Sequence, residues 1–479
     1  MSGLMRKTSI INVSNRLPVT IRDGKVHKSS GGLVAALEGI DPNRFALRWL
    51  GWPGGDIPQD RQEAVSRTLD QEFGCTPIFL SAEDMSGHYE GLSNGSIWPL
   101  LHYMPGKFQY QPGWWEAYER VNQQFADAIL GVAGDDDVVW VHDYQLMLLP
   151  GMLRQARPNL RIGFFLHTPF PSQEVFRCHP NRTELVRGVL GANLVGFHTF
   201  GYLRHFRSAV MRLLGLEPEF LDIRHDGGLT RLGVHPIGIN APAFERQLAD
   251  PQQEQLREKF RDTFDGKRLV LSVERLDYSK GLLQRLDAID LFLAETDAAT
   301  RDTIKFIFVS VPSRENVGAY RVLREDVESA IGRLNGKYTT LVNSPVHFIH
   351  GSVDFAQLCA LYASAEVAMV TPLVDGMNLV AKEYVACQTQ SPGVLVLSEF
   401  AGAAQELFSA LIVNPYDAKA VARALREALW MPHAEREARM NAMRRRVGAI
   451  VHRCLAGMSD FGSGLAGCVR GAEAHRRDG

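Results

Sequence analysis

Arg275 and Lys280 sit in SVERLDYSKGLLQRL (272–286), after a stretch patterned as a strand and before one patterned as a helix. Two cations at the carboxyl edge of a strand, facing a helix amino end, suit a pyrophosphate better than either does alone. Each charge-assisted hydrogen bond there contributes roughly 1.5–3 kcal/mol. The other reading is a surface ion pair of Arg275 with Glu274 or Asp277. A second stretch, TPLVDGMNLVAKEY (371–384), repeats the strand-to-helix form around Asp375, Gly376, Met377, Asn378 and Leu379. Gly376 lets backbone approach a ligand closely, and the first-turn N–H groups of the following helix attract phosphate. Met377, Val380, Ala381 and Tyr384 take core-facing helical positions, whereas Glu383 lies off that stripe, placed to accept from ribose hydroxyls or to serve as a plain surface glutamate. SEFAGAAQEL (398–407) also follows a strand, and its small residues bring more backbone donors towards the same ligand.

The first half carries its own polar strand ends. Ser14-Asn15-Arg16 closes the first strand, and Gly31 and Gly32 in SSGGL open a helix start that admits a ligand. VWVHDYQL sets His142 and Asp143 at a strand end, and GFFLHTPFP sets His167 at another. Tyr89, Asn94 and Trp98 lie in an irregular stretch where aromatics wall a sugar or simply fill a core. Asp135-Asp136-Asp137 contains an Asp-x-Asp pattern that can hold a metal diphosphate, but it precedes its strand. It therefore sits at the wrong edge and reads as a solvated turn.

These groups need a framework that gathers strand ends. Short β-rich runs, several of them continuously apolar, alternate with helical patterns along the whole chain, which predicts parallel doubly wound sheets covered on both faces. At 479 residues the chain is too long for one ordinary core. A break within HPIGINAPAF (235–244) divides it into a domain over 1–239, a second over 240–456 and a mobile tail over 457–479. The stretch 69–103 fits the alternation poorly and is expected to form loops over the first sheet. Ligands of such sheets bind beyond the carboxyl ends of the strands, which is where the candidates above fall.

Composition excludes several classes. Lys plus Arg total 52 and Asp plus Glu 54, a net charge of −2 that offers no footprint for nucleic acid or anionic lipid. No run approaches the ~20 apolar residues of a membrane span, and the amino end lacks a cleavable signal pattern. Six scattered cysteines without metal-type spacing read as reduced thiols and place the protein in the cytoplasm.

Twelve motifs in order, SNRLP, SGGL, GWPG, LSNGSIWPLLHY, VHDYQL, GFFLHTPFP, HPIGI, SVERLDYSKG, GRLNGKY, TPLVDGMNLVAKEY, EFAGAA and ALIVNPYD, give the chain its resemblance to the trehalose-6-phosphate synthase family. The resemblance spans residues 9 to 455 and implies the glycosyltransferase B fold, two Rossmann-like domains facing across a cleft. It implies transfer of glucose from a nucleoside diphosphate glucose, usually UDP-glucose, to glucose 6-phosphate with retention of configuration. It further implies that Arg275 and Lys280 hold the diphosphate, Glu383 the ribose, and Asp375 through Leu379 the glucose and phosphates. Gly31 and Gly32 line the donor, His167 meets its sugar hydroxyls, and Val353 grips the base through its main chain. Arg16 and Arg314 clasp the acceptor phosphate, with Trp52 (or Trp49), Tyr89, Trp98 and Asp143 around its sugar. Arg16 and Arg314 end strands in different halves, so a phosphate that needs both is fully held only on closure. No carboxylate stands out as a nucleophile, which favours front-face attack without a cofactor or a divalent metal; the family also suggests a homo-oligomer. Competing readings are a sister synthase using glycerol 3-phosphate or a cyclitol acceptor, and a non-catalytic sugar-phosphate sensor. A nicotinamide dehydrogenase is remote, because no GxGxxG follows a strand.

Overall fold

The computed structural model describes residues 8–22, 25–28, 34, 45–226, 228–314, 318–341 and 343–448. Gly31, Gly32 and the expected tail at 457–479 lie outside the described residues. The chain divides into two compact units, one reaching Ile237 and the next starting at Gly238, within HPIGINAPAF.

In the first unit eight of the described strands form one sheet, and Val19–Arg22 pairs antiparallel with Lys25–Lys28 apart from it. The order of the sheet is Cys75–Pro77, Phe45–Trp52, Thr8–Arg16, Val138–His142, Arg161–Leu166, Leu194–Phe197, Gly228–Val234 and Asp222–His225. All neighbours run parallel except the last pair. In the second unit the order is Val346–His350, Ile304–Val311, Arg268–Arg275, Val367–Val370, Val394–Ser398 and Leu411–Val413, parallel throughout. Counted along the chain, the second sheet gives the dinucleotide-fold order 3-2-1-4-5-6 and the first gives the same order with an antiparallel pair added at its end, so each is a Rossmann-like domain, as the resemblance implies. The apolar runs owe their lack of alternation to cover on both faces: every residue of Val138–His142 and of Val394–Ser398 is buried.

That order has one reversal in each sheet. It falls between Thr8–Arg16 and Val138–His142 in the first unit, and between Arg268–Arg275 and Val367–Val370 in the second. Connections leave in opposite directions there and open a crevice at the carboxyl ends, where such folds bind ligands. Arg16 and His142 stand at the first reversal, and Arg275 and the TPLVDG turn at the second.

The stretch 69–103 is not a set of loops. The helix Gln59–Phe73 and the strand Cys75–Pro77 lead into a π-helix, Met85–Ile97, that continues as Trp98–Leu101. Such wide helices are rare, and glycine spaced every fourth residue makes this one possible. A Cβ on Gly87 would lie 2.5 Å from that of Ala117, and one on Gly91 would lie 2.6 Å from the Trp114 ring. The glycines thus seat the π-helix directly on the helix Pro112–Val132. Glycine and polar residues that resemble loop composition are here the small face of a helix.

Candidate active site

In the second unit, Arg275 ends its strand exposed. Of the two carboxylates considered as its partners, Glu274 pairs with the buried Arg285 and Asp277 pairs with Arg314 at 2.8 Å. Tyr278–Lys280 makes a short turn that ends at Gly281, φ +68°, where a Cβ would meet the Thr371 carbonyl at 2.5 Å. Glycine therefore lets this loop close on the TPLVDG turn, and Lys280 completes the join. Its Nζ lies 2.7 Å from Asp375 Oδ2, both side chains being largely buried. Asn378 Nδ2 donates to the same oxygen at 3.0 Å. The two motifs separated in sequence thus form one cluster, with a lysine that a phosphate oxygen can draw from its carboxylate.

The special backbone of this turn belongs to Asn378, not Gly376. Asn378 has φ +71° and caps the helix Leu379–Cys387, its Oδ1 accepting from Ala381 N–H at 3.1 Å. That uses one first-turn donor, and the others have no partner within the helix. Gly376 is buried against Gly402, whose Cβ would fall 2.1 Å from the Gly376 carbonyl. The third loop consequently braces the turn and does not add donors. Gly402 N–H donates to the Asp375 carbonyl at 3.2 Å, and Ala403 N–H to that of Met377 at 2.7 Å.

Further along, Met377 is buried, Leu379 half-buried, and Glu383 half-buried beneath the hydroxyl of Tyr362, which donates to its Oε2 at 3.0 Å. Burial raises the Glu383 carboxyl above its ordinary value, and the tyrosine opposes this. Val353 is half-buried between the strand Val346–His350 and Asp354, which caps the next helix by a capping box with Gln357. Arg314, φ +53°, has a side chain only 4% exposed and is held by Asp277 and the Tyr320 hydroxyl. Both of these contacts use Nη1.

In the first unit the Arg16 guanidinium lies over two rings, 5.0 Å from the Trp52 centroid and 5.5 Å from that of Tyr89. Such contacts hold the cation without consuming its N–H donors. Trp49 is core, with Nε1 donating to Ser14 Oγ at 2.7 Å, so Trp52 is the tryptophan beside Arg16. Trp98 is buried, its ring tilted against His102 and Tyr144 with centroids 3.8 and 5.4 Å away. Tyr144 donates to Asn94 at 2.8 Å. Asp143, φ +72°, accepts from His167 N–H at 3.3 Å. Asp137 accepts from Gly134 N–H at 2.8 Å, in the turn ahead of its strand.

Sequence reasoning gave no role to Asn12, Tyr362, Arg285 or the buried pair Lys382–Glu406, 2.5 Å apart. Only one signal was available, the polar residues Asn12, Arg285 and Lys382 at positions where the periodicity asks for apolar ones.

His88 and His142 are buried and His167 is half-buried, and all three rings are neutral. Burial lowers His142 well below its usual range, and lowers His88 and His167 to about 3. The native state refuses protons that the unfolded chain accepts below its pKa of 6.5, so these groups stabilise the fold above that pH and the stability is lost as pH falls. Between pH 6.5 and 5.5 this should remove about 1 kcal/mol per histidine, or about 3 kcal/mol for the three together. Urea unfolding at pH 6.5 and 5.5 measures this; equal stabilities would show that the rings are solvated in the native state.

The glycosyltransferase family 20 model matches residues 8–451. The chain belongs to glycosyltransferase family 20. Among the family's members, the 56 kDa subunit of the UDP-forming alpha,alpha-trehalose-phosphate synthase of Kluyveromyces lactis is 44% identical over 441 residues, covering 90% of each chain. The chain spans 58% of the length of synthase A of Dictyostelium discoideum, with 42% identity over 433 residues. The Burkholderia xenovorans synthase, solved with glucose-6-phosphate, superposes with a TM-score of 0.86 at 34% identity, covering 96% of this chain and 100% of the other. The E. coli family member bound with UDP-2-fluoro glucose gives 0.85 at 35% identity, covering 95% and 99%.

Proposed function

We propose that this glycosyltransferase moves glucose from UDP-glucose to glucose 6-phosphate, giving α,α-trehalose 6-phosphate with retained configuration. The observation that carries the reading is the cluster of Arg275, Lys280, Asp375 and the Asn378-capped helix at the strand-order reversal of the second domain. It offers cations and helix N–H groups to a diphosphate, and a family relative is solved with UDP-2-fluoro glucose bound. The first domain supplies the acceptor groups, Arg16 with Trp52 and Tyr89, and Asp143 beyond them.

On this reading the acceptor hydroxyl adds on the face the nucleotide leaves, and its proton passes to a departing phosphate oxygen. The oxygen of the broken glycosidic phosphate bond takes the electron pair. Arg275, Lys280 and the helix start stabilise the charge that grows there, in place before reaction and so without reorganisation. Glu383 accepts from the ribose, Val353 meets the base, and Leu379 and Met377 shape the floor. Turnover is expected to be unchanged by EDTA, since these residues meet the diphosphate charge themselves.

The test supplies glucose 6-phosphate with UDP-, GDP- and ADP-glucose separately, and measures nucleotide release and product mass. UDP release with a disaccharide phosphate of the expected mass supports the reading, and no release with any donor ends it. Replacing glucose 6-phosphate by glycerol 3-phosphate separates a sister synthase. We also place the protein in the cytoplasm, a reading supported by the unpaired Cys75, Cys178, Cys359 and Cys387. Among the described residues no helix is long and apolar enough to cross a membrane.

A further inference from the structure

Asn12 is fully buried in the strand Thr8–Arg16, where an apolar side chain would pack without polar cost. Its Oδ1 lies 2.7 Å from His142 Nε2, and His142 Nδ1 lies 3.0 Å from His167 Nε2. Its Nδ2 has no hydrogen-bond partner among the described residues. Leaving such a group unpaired costs about 1–3 kcal/mol, so asparagine is not the residue that stability alone selects here.

The histidine–histidine contact must contain one proton, because two N–H groups or two lone pairs would repel. With Asn12 Oδ1 accepting, His142 carries its proton on Nε2 and presents a bare Nδ1. His167 then donates from Nε2, which leaves its own lone pair on Nδ1. Burial keeps both rings neutral, so neither carries the second proton that would undo this order. The His167 ring is also fixed in space: Phe165 and His198 pack 4.6 and 5.5 Å from its centroid, and its main-chain N–H is held by Asp143.

We propose that Asn12 and His142 are positioning residues that hold His167 in one tautomer, with Nδ1 bare to accept a hydrogen bond from a hydroxyl of the transferred sugar. The proposal rests on the donor-sugar reading of His167 and adds the direction of its hydrogen bond. An acceptor at that point takes a hydrogen bond from the hydroxyl and leaves the sugar oxygen richer in electrons, which suits a sugar carbon that becomes cationic in the transition state. It disfavours a donor whose facing group cannot give a proton.

The experiment uses the full chain without ligand. Nitrogen-15 spectra of the histidine rings distinguish the protonated from the bare nitrogen of His167, in the wild type and in Asn12→Leu and Asn12→Asp. The expected wild-type result is a proton on Nε2 only. Asn12→Leu removes the acceptor, so it should give a mixture of tautomers and lower turnover about 10–100-fold, the usual cost of losing an orienting partner. Its melting temperature should change little, because the loss of an unpaired amide is offset by the loss of the partner of His142 Nε2. Asn12→Asp keeps an acceptor towards His142; it should preserve the tautomer and lose less turnover than Asn12→Leu. A wild-type proton on His167 Nδ1 would overturn the proposal. So would an Asn12→Leu variant that loses stability and turnover while the tautomer stays fixed. A wild type with the stated tautomer but no nucleotide release from any donor would remove the proposed function and leave the proton order standing.

Discussion

Lys280→Ala and Arg275→Ala are each expected to slow turnover by about 10²–10³, near 3–4 kcal/mol, the scale of a lost donor to a developing oxyanion. Lys280 should be the more damaging of the two. Its ammonium lies 2.7 Å from Asp375, so its removal does more than subtract a cation. It leaves a largely buried carboxylate, held then by Asn378, beside the incoming diphosphate. That carboxylate repels the charge the site must stabilise, in a setting where water screens poorly. Arg275 is exposed at its strand end, where water screens charge better than it does around Asp375. Steady-state kinetics with UDP-glucose and glucose 6-phosphate measure both effects. Unchanged turnover in the two variants would take these residues out of the mechanism, whatever became of KM.

The second large effect belongs to a residue that touches no substrate on the proposed reading. Arg285→Ala is expected to destabilise the protein by about 3–5 kcal/mol, the cost of leaving one member of a buried ion pair unpaired. Arg285 is 1% exposed and forms the hub of the donor loops. Its guanidinium pairs with Glu274, donates to Ser272 Oγ, and reaches Thr371 Oγ1 and the Lys280 carbonyl, each at 2.9 Å. Those partners lie on the strand Arg268–Arg275, on the turn that carries Lys280 and at the start of TPLVDG. One side chain thus ties together the segments that present Arg275, Lys280 and Asp375. Urea unfolding measures the loss. The double variant Arg285→Met with Glu274→Leu should recover most of the stability, because it removes both charges together. It should not recover turnover, since the Lys280 carbonyl would still lack its donor. A single variant as stable as the wild type would show that the pair is solvated.

Much of the site could be read from strand ends. Arg16, His142, Asp143, His167, Arg275 and the TPLVDG turn all follow runs whose apolar character marks them as covered strands, and the carboxyl-edge rule then separates them from the aspartates at 135–137. What went astray shared a cause. Glycines at 87, 91 and 95 have loop composition until the facing helix is known, and only Trp114 and Ala117 make them a packing stripe. Gly376 was read as the point where backbone approaches a ligand, but it packs against Gly402, and the left-handed backbone of the turn sits at Asn378, whose side chain caps the helix. The Ala401-Gly402-Ala403 loop looked like a source of free donors, and its amides turned out to be spent on the neighbouring turn.

The amino-acid sequence by itself determined two doubly wound sheets and the edge at which each polar residue would stand. Periodicity and strand-helix alternation are local properties of the chain, and right-handed crossovers leave few ways to assemble them. Tertiary structure alone decided which charge meets which. Lys280 and Asp375 are 95 positions apart, and Asn12 and His142 are 130 apart. Residue spacing carries no information about such pairs, because they form only when separate crossovers bring two strand ends to the same reversal of the sheet. The same packing expels water, and that turns a histidine of ordinary type into a neutral ring with a fixed proton.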